Sequence, residues 1–516
     1  MNRETDSSGR FASGTLLLVS LAAVKLLVHL ASNAYFNYGF FRDEFYYIAC
    51  GEHPAWGYVD HPPLAPVLVS LARALFGDSI FSIRLLPALA GALVVFLTGL
   101  IARELGGGRF AQALAATAAV VAPIYLVLDT IFSMNAFDLL FWTVGFYLIV
   151  LIIKTGREKH WYLLGAVAGI GLMNKISMLW FGFGLLAGVL LSPQRRSLLG
   201  KEPWIAALTA LVIFLPHVLW QAANGFPTLE FMRNATLYKM VDTPVKSFLA
   251  DQVILMQPLV FPLCLAGLCY YLFHREGRRY RLLGFHFLAV LAVLLFAGKS
   301  KAYYLAPAYP ALLASGAVLF ERATARKVLE RLRPAYLAVI AVGGIVTAPL
   351  ALPVLPVEKY ISYQNSLGIA PGPMEKHEMG KLNQFFADMH GWEEMVAEVA
   401  RVYNRLSTEE REECLLCFSN YGEAGAVDFL GRKYGLPGAI CAHNNYFLWG
   451  PGTRSGKVAI VLTGDRRGLE TIFEQVEQAG FVRNEYSMPF ENLPVFLCRN
   501  PRRPLAEIWP GLKHYI

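Results

Sequence analysis

Charge is scarce in this chain. Asp, Glu, Lys and Arg make up 16% of the 516 residues, while 55% are hydrophobic. Soluble domains carry about a quarter charged residues. The shortage excludes a string of soluble domains, because the apolar runs are too long and too frequent to be covered. Cysteine is sparse as well, with seven residues. Cys414-Leu-Leu-Cys417 has the spacing of half a zinc site but lacks a second CxxC or a paired His. Both thiols flank a predicted strand, where positions i and i+3 point to opposite faces, so no zinc site is expected at this pair. Cys441 and Cys498 are possible disulfide partners in an oxidising compartment. The chain also lacks a fixed-period repeat, a low-complexity tract and any Gly-rich phosphate loop. Its net charge of +8 is not a nucleic-acid footprint, because Lys and Arg concentrate in short loops between apolar runs.

What is present is a series of apolar segments. Eleven spans are predicted, at roughly 14–34, 82–102, 110–128, 134–153, 161–174, 176–192, 204–222, 252–273, 282–298, 302–320 and 335–354. With the N-terminus cytoplasmic, nineteen Lys and Arg fall in inner loops and eight in outer ones. That bias follows the positive-inside rule in one orientation only, and an odd span count puts the C-terminal segment outside, in a bacterial periplasm. The first span has an apolar stretch of about 20 residues, longer than a signal-peptide core, and reads as an uncleaved anchor. Lys25 and His29 lie one turn apart within it, either as functional intramembrane groups or as snorkelling ones.

From about Glu358 the composition becomes that of a soluble domain, dividing the chain into a transmembrane part, 1–357, and an α/β part, 358–516. Amphipathic helical periodicity runs from Glu393 to Leu406, and Ser407-Thr-Glu-Glu caps another helix. Strand-like runs lie at Leu415–Phe418, Ala439–Cys441, Val458–Leu462 and Val495–Cys498. Helical patterns at Ala424–Tyr434 and Leu469–Ala479 separate them, predicting a partly parallel sheet.

Polar groups are placed unevenly. The first outer loop, Tyr35 to Phe81, holds Arg42-Asp43-Glu44-Phe45-Tyr46-Tyr47 and then Tyr58-Val59-Asp60-His61-Pro62-Pro63-Leu64. In the predicted topology Asp129, Asn135 and Asp138 join it on the outer face, with Asn174-Lys175 and Lys299-Ser300-Lys301-Ala302-Tyr303-Tyr304. Loop ends are where charge costs least, yet these turns hold acids beside cations. Such a set suits gripping a lipid-linked anion while deprotonating a hydroxyl.

These segments resemble the family of dolichyl-phosphate-mannose-type protein mannosyltransferases and bacterial lipid A aminoarabinose transferases. The first loop with Asp43-Glu44 and His61-Pro62-Pro63-Leu64 carries the likeness. So do Asn135-Ala-Phe-Asp138, Asn174-Lys175 and Lys301-Ala-Tyr303-Tyr304-Leu-Ala-Pro307, over roughly residues 15–350. The resemblance implies a polytopic helical glycosyltransferase of the C-type fold, family 39. It implies inverting transfer from a polyprenyl-phosphate sugar to a lipid or glycan acceptor, of lipid A or lipopolysaccharide type, at the outer face of the inner membrane. Asp43 matches the family's candidate base, with Glu44 and Asp138 as further catalytic candidates. His61, Lys175, Lys301, Tyr303 and Tyr304 are candidates for donor phosphate, although His61 stands where related lipid A transferases carry Lys. Asp60, Asn420, Glu423, His443 and Asn444 are candidates for the acceptor. The last four follow two predicted strands, where ligands tend to bind in α/β sheets, although Asn and Gly also dominate ordinary turns. No cofactor is expected, and a divalent metal is left open. The alternatives are a protein O-mannosyltransferase of the same family and a lipid or sugar transporter or flippase. The last would show internal repeats and more midplane charge.

Overall fold

The computed structural model describes residues 2–36, 38–372 and 375–516, with side chains from Gly14 onward. The protein is a multi-pass helical membrane protein with a small α/β sheet domain. Among the described residues, seven helices are long and apolar enough to cross a membrane. They are Gly14–Tyr35, Ile80–Glu104, Met134–Thr155, Glu202–Ala223, Gly277–Phe296, Ala302–Ala323 and Lys327–Ala351. Arg109–Val121 and Pro123–Thr130, bent by 59° at their junction, add an eighth if the pair is one span. The bend has a local cause: Ala122 is extended and Pro123 opens the second helix, where its fixed φ is tolerated. Shorter helices at Lys159–Asn174, Met178–Leu190 and Phe261–Leu272 stand at the remaining three expected positions. Helix covers most of each predicted segment, with breaks at Ala122 and over 256–260, while seven or eight of the described helices pass as spans by length and composition.

The chain forms two compact units, each built from separated stretches of sequence. One comprises residues 1–37, 81–219 and 242–356; the other comprises 38–80, 220–241 and 357–516. The second unit therefore combines the first loop with the C-terminal segment. Its sheet has five strands: β1 Cys414–Phe418, β2 Ala439–Cys441, β3 Val458–Leu462, β4 Phe473–Phe481 and β5 Pro494–Pro501. Their order is β2-β1-β3-β5-β4, with β1 parallel to β2 and β3, and β5 antiparallel to β3 and β4. The central register sets Leu416 opposite Ile460, and Ile460 opposite Leu497. Alternate residues fill two cores, as expected of strands covered on both faces. Cys414, Leu416, Phe418, Ile460 and Leu497 share one with Trp392, Val396 and Val399 of the helix Trp392–Tyr403. Leu415, Val461, Phe496 and Cys498 fill the other with Leu469, Phe473 and Trp509.

All four predicted strands and the Ser407 cap sit where the sequence predicts them. Ser407 Oγ accepts from Glu410 N and Glu410 Oε2 accepts from Ser407 N, closing a reciprocal capping box. The helix predicted over 469–479 is replaced by a short helix, Arg466–Ile472, followed by β4. Leu469, Ile472, Phe473 and Val476 do recur at helical spacing, but β5 otherwise has an open edge, and pairing along it outweighs local periodicity. Glu474 and Glu477 sit on the resulting edge strand, where charge discourages pairing with other chains. The possible Cys441–Cys498 disulfide is absent and both thiols are free. They lie in opposite cores, on strands separated by β1 and β3. At about 4.8 Å per strand step that spacing is far beyond disulfide reach.

Candidate active site

The unit containing the first loop brings together residues more than 300 positions apart. Asp43 and Glu44 lie in the first turn of the helix Arg42–Glu52, where negative charge favours the helix dipole. Glu44 is fully buried and its Oε2 accepts from Phe41 N at 2.8 Å, so it caps its own helix. Asp43 is different: its side chain is 36% exposed. Its Oδ1 accepts from Tyr421 Oη at 2.9 Å and lies 3.7 Å from Arg42 Nε.

Tyr421 opens the helix Tyr421–Leu430, which directly follows β1. Two glycines on this helix make room for the first-loop helix. A Cβ on Gly422 would lie 2.4 Å from Arg42 Cγ, and one on Gly425 would lie 2.9 Å from Phe45 Cβ. Across this contact the Tyr421 ring stacks on Tyr46, centroids 4.5 Å apart. Tyr46 Oη donates to Asp60 Oδ1 at 2.8 Å and accepts from Asn445 N at 3.2 Å. Asn445, after β2, also accepts from Val59 N through its side chain at 2.8 Å. The residues after the carboxyl ends of β1 and β2 thus meet Asp43 and Asp60 of the first loop. This is the edge where an α/β sheet tends to present a ligand site.

The electrostatics are those of several acids around one guanidinium. Arg42 Nη2 lies 3.7 Å from Asp388 Oδ2, and Arg42 N donates to Asp388 O at 3.0 Å. Burial pushes the Asp388 carboxyl up to about 6, with Arg42 opposing the rise. Burial likewise takes Glu491 up to about 7, again against Arg42. Burial raises Asp60 too, held back by His61 and the Tyr46 hydroxyl. Asp388 and Glu491 lack any local motif in the sequence. Only the fold carries them to Arg42.

His61 is buried among Tyr46, Tyr47 and Tyr58, with ring centroids within 5.6 Å. Its Nδ1 sits 2.9 Å from Pro62 O, an acceptor only, so Nδ1 carries the proton. Nε2 of the neutral ring is then an acceptor and cannot donate to phosphate; only the imidazolium could. The four acceptor candidates after β1 and β2 also differ from expectation. Asn420 Oδ1 accepts from Gly422 N and Glu423 N, while Glu423 Oε2 accepts from Ser419 N, forming a helix cap. His443 Nε2 contacts Ile516 O at 2.8 Å and Asn444 Oδ1 accepts from Ile516 N. Glu423, His443 and Asn444 are buried. Each of the four therefore has at least one polar atom engaged in a cap or turn contact.

The other unit holds the remaining candidates. Asp138, near the start of the helix Met134–Thr155, accepts from Ser177 Oγ at 2.8 Å and lies 3.6 Å from Lys175 Nζ. Lys175 Nζ also donates to Asn135 Oδ1 at 2.7 Å and stands 5.3 Å from the Tyr304 ring centroid. Tyr304 packs edge-on to Tyr303, two residues beyond Lys301. Asp138, Lys175, Tyr303 and Tyr304 thus form one cluster, and Lys301 adjoins it in the chain. Lys25 and His29 are fully buried rather than snorkelling. Lys25 Nζ pairs with Asp129 Oδ2 at 2.9 Å and donates to Tyr125 O at 3.0 Å, a partnership that sequence spacing alone did not reveal.

Residues 60–220 match the family described as dolichyl-phosphate-mannose-protein mannosyltransferase. The chain is 27% identical over 142 residues to a polyprenol-phosphate-mannose–protein mannosyltransferase of Mycolicibacterium smegmatis, covering 27% of each chain. It is 29% identical over 170 residues to an undecaprenyl phosphate-α-4-amino-4-deoxy-L-arabinose arabinosyl transferase of Pseudomonas aeruginosa, covering 31% of this chain and 30% of that one. The chain thus spans under a third of the length of these relatives. ArnT from Cupriavidus metallidurans in the apo state shares the fold, with a TM-score of 0.62 at 15% identity over 94% of this chain and 98% of that one. A second structure of that protein, bound to undecaprenyl phosphate, gives a TM-score of 0.59.

Proposed function

We propose that the chain is a family 39 integral-membrane glycosyltransferase of the C-type fold, an inverting transferase using a polyprenyl-phosphate-linked sugar. The acceptor we assign is a lipid or glycan of lipid A or lipopolysaccharide type, at the outer face of a bacterial inner membrane. The observation that carries this reading is Asp43, a partly exposed carboxylate with one oxygen held by Tyr421 and neighboured by Arg42. In the proposed step Asp43 takes the proton of the acceptor hydroxyl as that oxygen attacks the anomeric carbon. The bond from that carbon to the phosphate oxygen breaks with inversion, and polyprenyl phosphate departs. Lys175 and Lys301 are assigned to the donor's phosphate, where cations offset charge developing on the leaving group. Asp138 orients Lys175, and Tyr303 and Tyr304 line the same cluster. The charge bias of the loops supports a cytoplasmic N-terminus and a periplasmic sheet domain.

A protein O-mannosyltransferase is the second reading, favoured by the family match over residues 60–220. One assay separates the two. Purified full-length protein in detergent is given radiolabelled undecaprenyl-phosphate aminoarabinose or polyprenyl-phosphate mannose, each with lipid A or a Ser/Thr-rich peptide. Transfer to lipid A supports the first reading and transfer to peptide the second. Intact donor in all four arms, with envelope glycans unchanged by mass spectrometry in a deletion strain, refutes both.

A further inference from the structure

The sheet domain does more than sit beside the first loop. We infer that Tyr421, from the helix after β1, is a positioning residue that holds the Asp43 carboxylate in its working orientation. The inference rests on the reading of Asp43 as the base.

Three observations carry it. The first is where the hydrogen bond falls. Tyr421 Oη meets Asp43 Oδ1 at 2.9 Å, and the approach of Arg42 Nε at 3.7 Å is to the same oxygen. Both interactions hold Oδ1, leaving Oδ2 for the acceptor proton. The second is rigidity. An exposed Asp otherwise samples several rotamers, whereas Tyr421 is 7% exposed, stacked on Tyr46 at 4.5 Å and set 4.7 Å from the His443 ring. A phenol fixed on two sides can hold a mobile carboxylate in place. The third is repetition. Tyr46, the other ring of the stack, donates to Asp60 Oδ1, so a pair of stacked phenols grips Asp43 and Asp60. Asp43 is thus faced by Arg42, Tyr421, Asp388 and Asp60. Burial and the Asp43 charge keep the Tyr421 hydroxyl protonated, so it donates throughout the working pH range.

Removing the hydroxyl therefore frees the rotamers of the Asp43 carboxylate. The test compares Tyr421→Phe, Tyr421→Leu, Asp43→Asn and the double variant Asp43→Asn/Tyr421→Phe in full-length protein, using the four-arm transfer assay. Tyr421→Phe is expected to lower kcat by about tenfold, the lower range for a hydrogen bond to a charged group. Donor KM should stay within about twofold. A merely structural role would lower kcat in the Asp43→Asn background as well. Tyr421→Leu, which also loses the ring stack, should fall further. The double variant should be no slower than Asp43→Asn alone, because the phenol acts only through that carboxylate. If Asp43→Asn is inactive while Tyr421→Phe keeps the wild-type kcat, the positioning role is wrong and the base assignment stands. If Asp43→Asn itself turns over normally, the base assignment fails and the positioning role falls with it.

Discussion

Gly425→Ala tests the packing that sets the candidate site. The new Cβ would lie 2.9 Å from Phe45 Cβ and 3.0 Å from the Phe45 carbonyl carbon and oxygen. Comfortable carbon contacts begin near 3.5 Å, so the two helices must part by about half an ångström. Two of the obstructing atoms belong to backbone and cannot rotate away. Overpacking of this kind costs about 1–3 kcal/mol, and the better helix propensity of Ala returns about 1 kcal/mol. A net loss of about 1 kcal/mol lowers the melting midpoint by about 2–4 °C in a body of 150–250 residues. The functional effect should be larger. Tyr421 lies four positions before Gly425 on the same helix face, and its 2.9 Å bond to Asp43 weakens once stretched past about 3.4 Å. Turnover should therefore fall about tenfold, since small misplacements cost heavily in oriented reactions. The assay is thermal melting in detergent beside single-turnover sugar transfer, with Gly182→Ala as control because a Cβ there meets nothing within 4 Å. A Gly425→Ala protein with the wild-type midpoint and rate refutes the reasoning.

Lys175→Ala and Lys301→Ala are expected to raise donor KM with a smaller effect on kcat; unchanged donor kinetics in both would reduce them to topology anchors. Lys25→Met should abolish accumulation of folded protein, because breaking a buried pair costs about 3–5 kcal/mol. Lys25→Met/Asp129→Leu should restore much of that yield, as followed by size-exclusion chromatography, and equal yields from both would contradict a stabilising pair. For pH, burial holds Glu491 up to about 7, above its ordinary value of about 4.3. The folded state then binds more protons than the unfolded one between those limits, so this group's stabilising contribution is full at low pH and is lost as pH rises through about 7. Glu491→Gln should flatten the fall in melting midpoint between about pH 5 and 7, and an unaltered slope would show that this carboxyl does not titrate there.

Much of this protein follows from local sequence. Apolar run lengths locate the membrane helices because a bilayer demands about 20 residues per span. The alternation in Leu415–Phe418 and Val458–Leu462 marks strands covered on both faces, and Ser407 with Glu410 marks a helix start, because caps and pleats depend on near neighbours. Asp43 stood out for the same reason, as an acid beside an aromatic run and a His-Pro-Pro turn. What surrounds Asp43 could not be read this way. Tyr421, Asp388 and Glu491 reach Arg42 and Asp43 only because the first loop and the C-terminal segment fold as one unit. That union depends on Gly422 and Gly425 leaving room for Arg42 and Phe45. The same distant partnering turned the helical pattern after Leu469 into an edge strand, and hid Lys25 against Asp129. Periodicity and capping are written within a few residues, whereas partner choice, burial and the resulting charge balance are decided by surfaces that only the assembled fold brings together.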